Sequence, residues 1–326
     1  MTKQIARLTH TGIAVESVRG TGLVPTFWLP RTDYKHDDKI QKVVDDVSVG
    51  VIEDSINSDV VQQYAEGEIG GRIDTESIGL IFKLLFGTSD SVAVSGQAGA
   101  YDHTFTVLQS AQHPTFTLSV KDPNSGTGFY YTLGAILDFD LNTEINRYCE
   151  YKFKYRANSK TSATLTPSYP TTQCVFLPQG ATLKFASSQA GLAGATASEI
   201  KKFTMSVKKN VEDDQVLGNV SATDRLNKQF AIEGSFEMLT NDYTNVDNLL
   251  NNTSQYAEFK MTNPTTIGVS TTPSITLTFY KVEFDEVANK VDNNGFATRT
   301  IKYKAFYNLA DAKMVQAVIR NTTASY

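Results

Sequence analysis

The chain has 326 residues, 40% hydrophobic and 20% charged, with 30 Lys plus Arg against 35 Asp plus Glu and a net charge of −5. That apolar content supports a packed core and excludes a wholly disordered chain, and the length suits two domains of roughly 150 residues. The 21 glycines and 9 prolines exclude collagen-like and low-complexity sequence, and the acidic excess argues against a dedicated nucleic-acid binder.

Residues 1–24 read as an extended arm with glycines near its end, and FWLP at Phe27–Pro30 reads as an apolar anchor. The polar run from Arg31 to Gln41 reads as a solvated loop. Strands are expected from Gln41 to Ile52, where Val47, Val49 and Val51 are spaced by two, and from Val60 to Ile73. In the second of these Glu66 and Glu68 alternate with small and apolar residues, and Gly70 and Gly71 suggest a bulge. The period then changes: Ile78, Ile81, Phe82, Leu85 and Phe86 share one helix face, with Asp74 or Thr75 as N-cap and Gly87 as stop. Strands resume at Tyr101–Leu108 and Pro114–Asp122, then a turn over Pro123–Gly128 leads to another apolar run. The segment Cys149–Ala157 alternates most cleanly, with Tyr151, Phe153 and Tyr155 on one face and Lys152, Lys154 and Arg156 on the other. Residues 158–172 are small or polar with two prolines, and read as a linker.

The second half repeats this plan. VFLP at Val175–Pro178 echoes FWLP, Ser198–Lys209 echoes the strand before Ile52, and Phe230–Met238 echoes the Glu66 strand with Glu233 and Gly234 opposite Glu66 and Gly67. Asn241–Asn252 echoes the short helix, Pro273–Tyr280 echoes Pro114–Asp122, and Arg299–Asn308 echoes Cys149–Asn158. Six echoes in one order imply a tandem duplication of a β-rich unit, with domains at 1–160, carrying the arm, and 161–326. Residues 1–160 hold 15 basic and 20 acidic side chains, residues 161–326 hold 15 of each.

No catalytic or metal-binding motif stands out. The histidines His10, His36, His103 and His113 lack metal-ligand spacing; His36 with Asp37 and Asp38 reads as solvated loop, and His103 as a structural hydrogen-bonder. There is no nucleophile elbow or phosphate loop, and DNNG at Asp292–Gly295 reads as a turn. Cys149 and Cys174 form no framework and are expected to be reduced and partly buried. The N-terminus lacks the apolar core of a secretory signal and no stretch reaches the roughly 18 apolar residues of a membrane span, so a soluble cytoplasmic product is expected before assembly. Exposed strand edges in a two-unit chain suit ring assembly. Glu66, Glu68, Glu233 and Glu237 are candidates for a like-charged lumen past which a polyanion slides, or else for ordinary solvated strand faces.

The opening TGIAVESVRGTGLVPTFWLP, the run EGEIGGRID before a helix ending LLFG, and YDHTFTV followed by HPTFTLSVKD together resemble the tail tube proteins of long-tailed bacteriophages, in a larger class of about 300 residues. The resemblance implies a mainly β chain of two tandem tail-tube-like sandwich or barrel units, each with a short helix. It implies no enzyme activity and no cofactor. It implies rings whose inward sheets join into one barrel and stack into a conduit for double-stranded DNA, with tape measure, tail terminator and distal tail proteins as partners, no membrane, and a place in the virion tail after assembly in the host cytoplasm. Duplication favours a trimeric ring of pseudo-sixfold symmetry over a hexamer. A head-closure, decoration or baseplate ring protein is the alternative. Arg31, Asp33, Tyr34, Lys35, His36, Asp37, Asp38 and Lys39 fall where such proteins carry a loop touching the next ring.

Overall fold

A computed structural model describes residues 5–123, 126–171, 173–239, 243–291 and 295–326. Its elements in the first half are β1 (His10–Val15), β2 (Phe27–Trp28), β3 (Arg31–Asp45), β4 (Asn57–Arg72), α1 (Ser77–Phe86), β5 (Asp90–Ala93), β6 (Tyr101–Thr106), β7 (Phe116–Lys121), β8 (Gly128–Glu144), β9 (Glu150–Ala157) and β10 (Thr161–Ala163). In the second half they are β11 (Ala181–Ala186), β12 (Ile200–Lys208), β13 (Val211–Asp214), β14 (Asp224–Asn227), β15 (Ala231–Leu239), α2 (Thr244–Leu250), β16 (Gln255–Thr262), β17 (Ser274–Lys290), β18 (Thr298–Ala305) and β19 (Val315–Asn321). The fold is mainly β, and every strand pairing is antiparallel.

Period-two alternation builds the sheets. On β9, Tyr151, Phe153 and Tyr155 are buried while Lys152, Lys154 and Arg156 point to solvent. On β18, Ile301, Tyr303 and Ala305 are buried while Lys302 and Lys304 are exposed. The inward rings meet a second layer: Phe116 of β7 packs edge-on against Phe153 and Tyr155, and Phe203 of β12 stacks on Phe259 of β16 with centroids 3.9 Å apart. Each long strand serves both layers. β8 pairs with β7 through residues 116–121 and with β9 through residues 150–156, and β17 pairs with β16 near its start and β18 near its end. Such layer-switching strands close the corners of a sandwich.

The pairings run in parallel in the two halves. Those of the first half are β1·β7, β7·β8, β8·β9, β9·β4, β4·β3 and β8·β10. Those of the second are β11·β16, β16·β17, β17·β18, β18·β15, β15·β12 and β17·β19. By partner, the strand in the place of Phe116–Lys121 is therefore Gln255–Thr262, not Pro273–Tyr280 as the echo suggests. Alternating Thr and apolar residues recur in several strands, so a short match cannot choose among them. The halves are joined edge to edge by β8 and β12, paired from Lys202↔Glu144 to Lys208↔Asp138. One continuous sheet of order β3-β4-β9-β8-β12-β15-β18-β17 results.

The helix forms as its pattern dictates. Asp74 Oδ1 accepts the backbone N–H of Glu76 (2.8 Å) and Ser77 (2.6 Å), satisfying two otherwise orphaned donors, and Gly87 closes the helix at φ 94°. Two buried bases meet its C-terminal carbonyls: Lys209 Nζ donates to Leu84 O at 3.0 Å, and His113 Nδ1 lies 2.9 Å from Leu85 O.

Four expectations need correction. The strand expected from Gln41 to Ile52 ends at Asp45, and Val47, Val49 and Val51 fall in the turn between β3 and β4. The linker expected at 158–172 holds β10, paired with the start of β8. Residues 10–15 are not arm but β1, hydrogen-bonded to β7 from His10↔Lys121 to Val15↔Phe116, with Thr11, Gly12, Ile13 and Ala14 buried. Burial on both faces removes the alternation that marks a half-wet strand. Arg31, Asp33, Tyr34, Lys35, His36, Asp37, Asp38 and Lys39 are not loop either; they lie in β3, paired with β4 from Arg31↔Gly71 to Lys39↔Tyr64. The strand escaped notice because the residues it turns inward, Tyr34 and His36, are themselves polar. A bulge does occur opposite Gly70 and Gly71. Most of the turn expected at Asp292–Gly295, with residues 124–125 of Pro123–Gly128, residue 172 of the linker and residues 1–4, lies outside the described residues.

Candidate functional site

The main sheet presents one solvent face and two open edges, and these are the features with functional content. In register, Glu66 sits opposite Arg156 and Glu68 opposite Lys154, while Glu233 sits opposite Lys304 and Glu237 opposite Thr300. All four glutamates therefore share the solvent face, as their alternation predicts. Their electrostatics differ from expectation. Lys39 Nζ donates to Glu66, Arg156 reaches the same carboxylate at 3.2 Å, and the Lys39 ammonium above all holds the Glu66 carboxyl below its usual pKa. Lys152 binds Glu68 and lies 3.4 Å from Asp33. Lys208 bonds Glu233 at 2.5 Å, Lys154 bonds Asp138 at 3.2 Å, and Lys302 bonds Glu286 at 2.6 Å. Lys202, opposite Glu237 in register, lies 3.3 Å from Glu144.

The surface is thus a mosaic of cross-strand ion pairs rather than a like-charged wall. A whole-chain charge count cannot reveal this, because it depends on which residues of neighbouring strands share a face. Exposed pairs of this kind add little to stability, because water and salt screen them, so their main effect is on the field presented to anything passing over the sheet.

The edges are formed by β3 and by the C-terminal half of β17. Among the described residues β3 pairs only with β4, and residues 283–290 of β17 pair only with β18. An unpaired edge of this length is a template for another strand. β3 is stiffened by rings: His36 packs against Tyr131 with centroids 4.3 Å apart, stacks with Tyr34, and has Nδ1 2.7 Å from Tyr155 Oη. Burial lowers the His36 pKa despite nearby Asp38, so this ring is a half-buried wedge rather than a solvated loop residue. His103 bridges Ser91 Oγ (2.7 Å) and Asn321 Oδ1 (3.0 Å), a structural role as expected.

The tip of the β3–β4 hairpin exposes Val43, Val44, Val47, Val49, Val51 and Ile52 together with Asp46, Glu53 and Asp54. At the opposite end of the same hairpin an open cleft of about 760 Å³ is lined by Arg7, His10, Arg31, Arg72 and Tyr169 among others. A second open cleft of about 700 Å³ includes Gln112, His113, Lys228 and Tyr307. Neither cleft brings carboxylates face to face. Among the described residues no cluster of three or more His, Cys, Asp or Glu side chains could hold a metal, and no helix is long and apolar enough to cross a membrane. Cys149 is buried and Cys174 half-buried, with Cys174 Sγ 3.6 Å from Thr265 Oγ1.

Sequence reasoning missed the buried Arg225, which joins the halves. Its Nε lies 2.9 Å from Asp213 and its guanidinium donates to Leu133 O at 2.6 Å, while Arg156 ties the same Asp213 to Glu66. It also missed the edge role of β3, because the residues between Lys35, Asp37 and Lys39 are polar too and leave no alternation to read.

The profile of a family described as phage tail tube protein matches residues 6–304. No curated protein matches the chain.

Proposed function

We propose how this chain, which belongs to the phage tail tube protein family, builds its tube: three copies close each ring by joining the β17 edge of one to the β3 edge of the next. The structural tail role and the place in the virion tail follow from the family. The stoichiometry, the lumen and the contacts between rings are our reading. The observation that carries it is the β8·β12 joint, a seam between two similarly paired halves that leaves compatible open edges at both ends of the sheet. We read the halves, near 1–160 and 161–326, as copies of one unit, so a threefold ring has pseudo-sixfold symmetry.

Geometry favours three chains over six. At about 4.8 Å between strands, three eight-stranded sheets close a barrel at least about 37 Å across between backbones, which admits a duplex roughly 20 Å wide; six such sheets would give about 73 Å. The charge-paired face lines the bore, with Glu66, Glu68, Glu233 and Glu237 in it. Cations already held by carboxylates offer the phosphates of passing double-stranded DNA little to bind. Stacking uses the two ends of the β3–β4 hairpin: the acidic, apolar tip of one ring meets the arginine-lined cleft of the next. This moves the inter-ring contact from Arg31–Lys39 to the tip beyond. Tape measure, terminator and distal tail proteins complete the assembly in the host cytoplasm.

Negative-stain imaging of concentrated protein tests this reading. Long tubes with a central channel are expected. Isolated rings at all concentrations would indicate a head-closure or baseplate component, and a persistent monomer would reject assembly.

A further inference from the structure

The seam inside the chain also prescribes the register of the seam between chains; this rests on the ring reading above. The equivalences follow from pairing alone. His36 and Met205 sit opposite Gly67 and Gly234. Those glycines sit opposite Tyr155 and Tyr303, which in turn lie across from Ile136 and Phe284. Both long strands then bulge at the same place, between Ile136 and Asp138 and between Phe284 and Glu286. The ion pairs repeat too: Lys39 with Glu66 as Lys208 with Glu233, and Lys302 with Glu286 as Lys154 with Asp138.

Within the chain the seam pairs Lys208↔Asp138, Val207↔Phe139, Ser206↔Asp140 and Met205↔Leu141. We infer that the seam between neighbouring chains pairs Lys39 with Glu286, Asp38 with Val287, Asp37 with Ala288 and His36 with Asn289 of a second copy. The partner is argued from continuity. Both edges are unpaired among the described residues, both are antiparallel-competent, and Lys39 on one and Glu286 on the other stand where Lys208 and Asp138 meet at the internal seam. There, four side chains form a ladder across four strands: Glu233, Lys208, Asp138 and Lys154. Between chains the same order is supplied by Glu66 and Lys39 of one copy and Glu286 and Lys302 of the next. Slipping by two residues would set Lys39 opposite Ala288 and leave Glu286 across from Gln41, and slipping by one would turn charged side chains into the layer beneath. The register is therefore specified chemically, and it fixes which edges join.

Cysteine cross-linking tests it. In a Cys174→Ser background, Asp37→Cys with Ala288→Cys places two thiols directly opposite across the seam, whereas Lys35→Cys with Ala288→Cys places them two residues apart, beyond disulfide reach. Oxidised assemblies of the first variant are expected to run largely as a covalent three-chain species on a non-reducing gel, and those of the second as single chains. Hydrogen exchange on the unmodified protein gives an independent reading: amides of residues 34–39 and 286–290 should gain protection together on assembly. Tubes that form normally but cross-link through the offset pair overturn the register and leave the ring reading standing, whereas tubes that form with no gain of protection at 286–290 overturn both. Unmodified protein that forms no rings overturns both.

Discussion

Two glycines at matching places make the sharpest stability test. A Cβ added at Gly67 would lie 2.1 Å from Lys35 O and 2.6 Å from Tyr155 Oη; one added at Gly234 would lie 2.2 Å from Thr204 O and 2.7 Å from Tyr303 Oη. Neither neighbour yields easily. The carbonyls belong to the paired strands β3 and β12, Tyr155 is fully buried, and Tyr303 is pinned by donating its hydroxyl to Thr204 O at 3.0 Å. Relief requires the strand to move by about 1 Å and open its ladder. Gly67→Ala and Gly234→Ala are therefore each expected to cost near the upper end of overpacking penalties, about 3 kcal/mol, or roughly 4 °C in Tm for a chain of this size. Gly194→Ala, with no atom within 4 Å of the added methyl, should stay within about 0.5 kcal/mol of the parent. Circular dichroism melts of unassembled protein measure all three. If either strand variant melted within about 1 °C of the parent, the close packing of tyrosine over glycine would not be the constraint described.

Asp74→Ala removes the cap of α1 together with a buried contact to Ser77 and should destabilise by about 1–2 kcal/mol in denaturant titrations, with Asp74→Asn costing less. His113 is buried and its pKa is pushed down to about 4, below the unfolded value near 6.5. The unfolded chain therefore binds the extra proton between pH 4 and 6.5, stability rises with pH across that window, and His113→Gln should flatten the rise in melts at several pH values. Deleting residues 1–9 should leave the melting temperature nearly unchanged, whereas deletion through Val15 strips β1 from β7 and should lower it sharply. Replacing Glu66, Glu68, Glu233 and Glu237 together by Gln removes a carboxylate partner from each of Lys39, Lys152, Lys208 and Arg156; tubes of that variant should retain double-stranded DNA at low salt in a co-sedimentation assay, and parent tubes should not.

The parts of the fold legible in the sequence are those where one face is wet and the other dry. Glu150–Ala157 alternates without exception, and Ser77–Phe86 has a capping aspartate, a stopping glycine and an apolar stripe, so both were readable. His10–Val15 is covered on both faces and shows no period. Arg31–Lys39 turns tyrosine and histidine inward, so polarity alone misassigned it. The glutamates of the solvent face could be placed from alternation, but their cationic partners could not, because cross-strand neighbours are set by register between distant segments. The same holds for Arg225, whose partners Asp213, Leu133 and Asn158 come from three separate stretches.

Electron cryomicroscopy of assembled tubes tests the central claim most directly. Each ring should show threefold symmetry, a barrel of twenty-four strands, and β17 of every chain hydrogen-bonded to β3 of its neighbour. Six chains in a ring, or a β17 edge covered by anything other than β3, would contradict it.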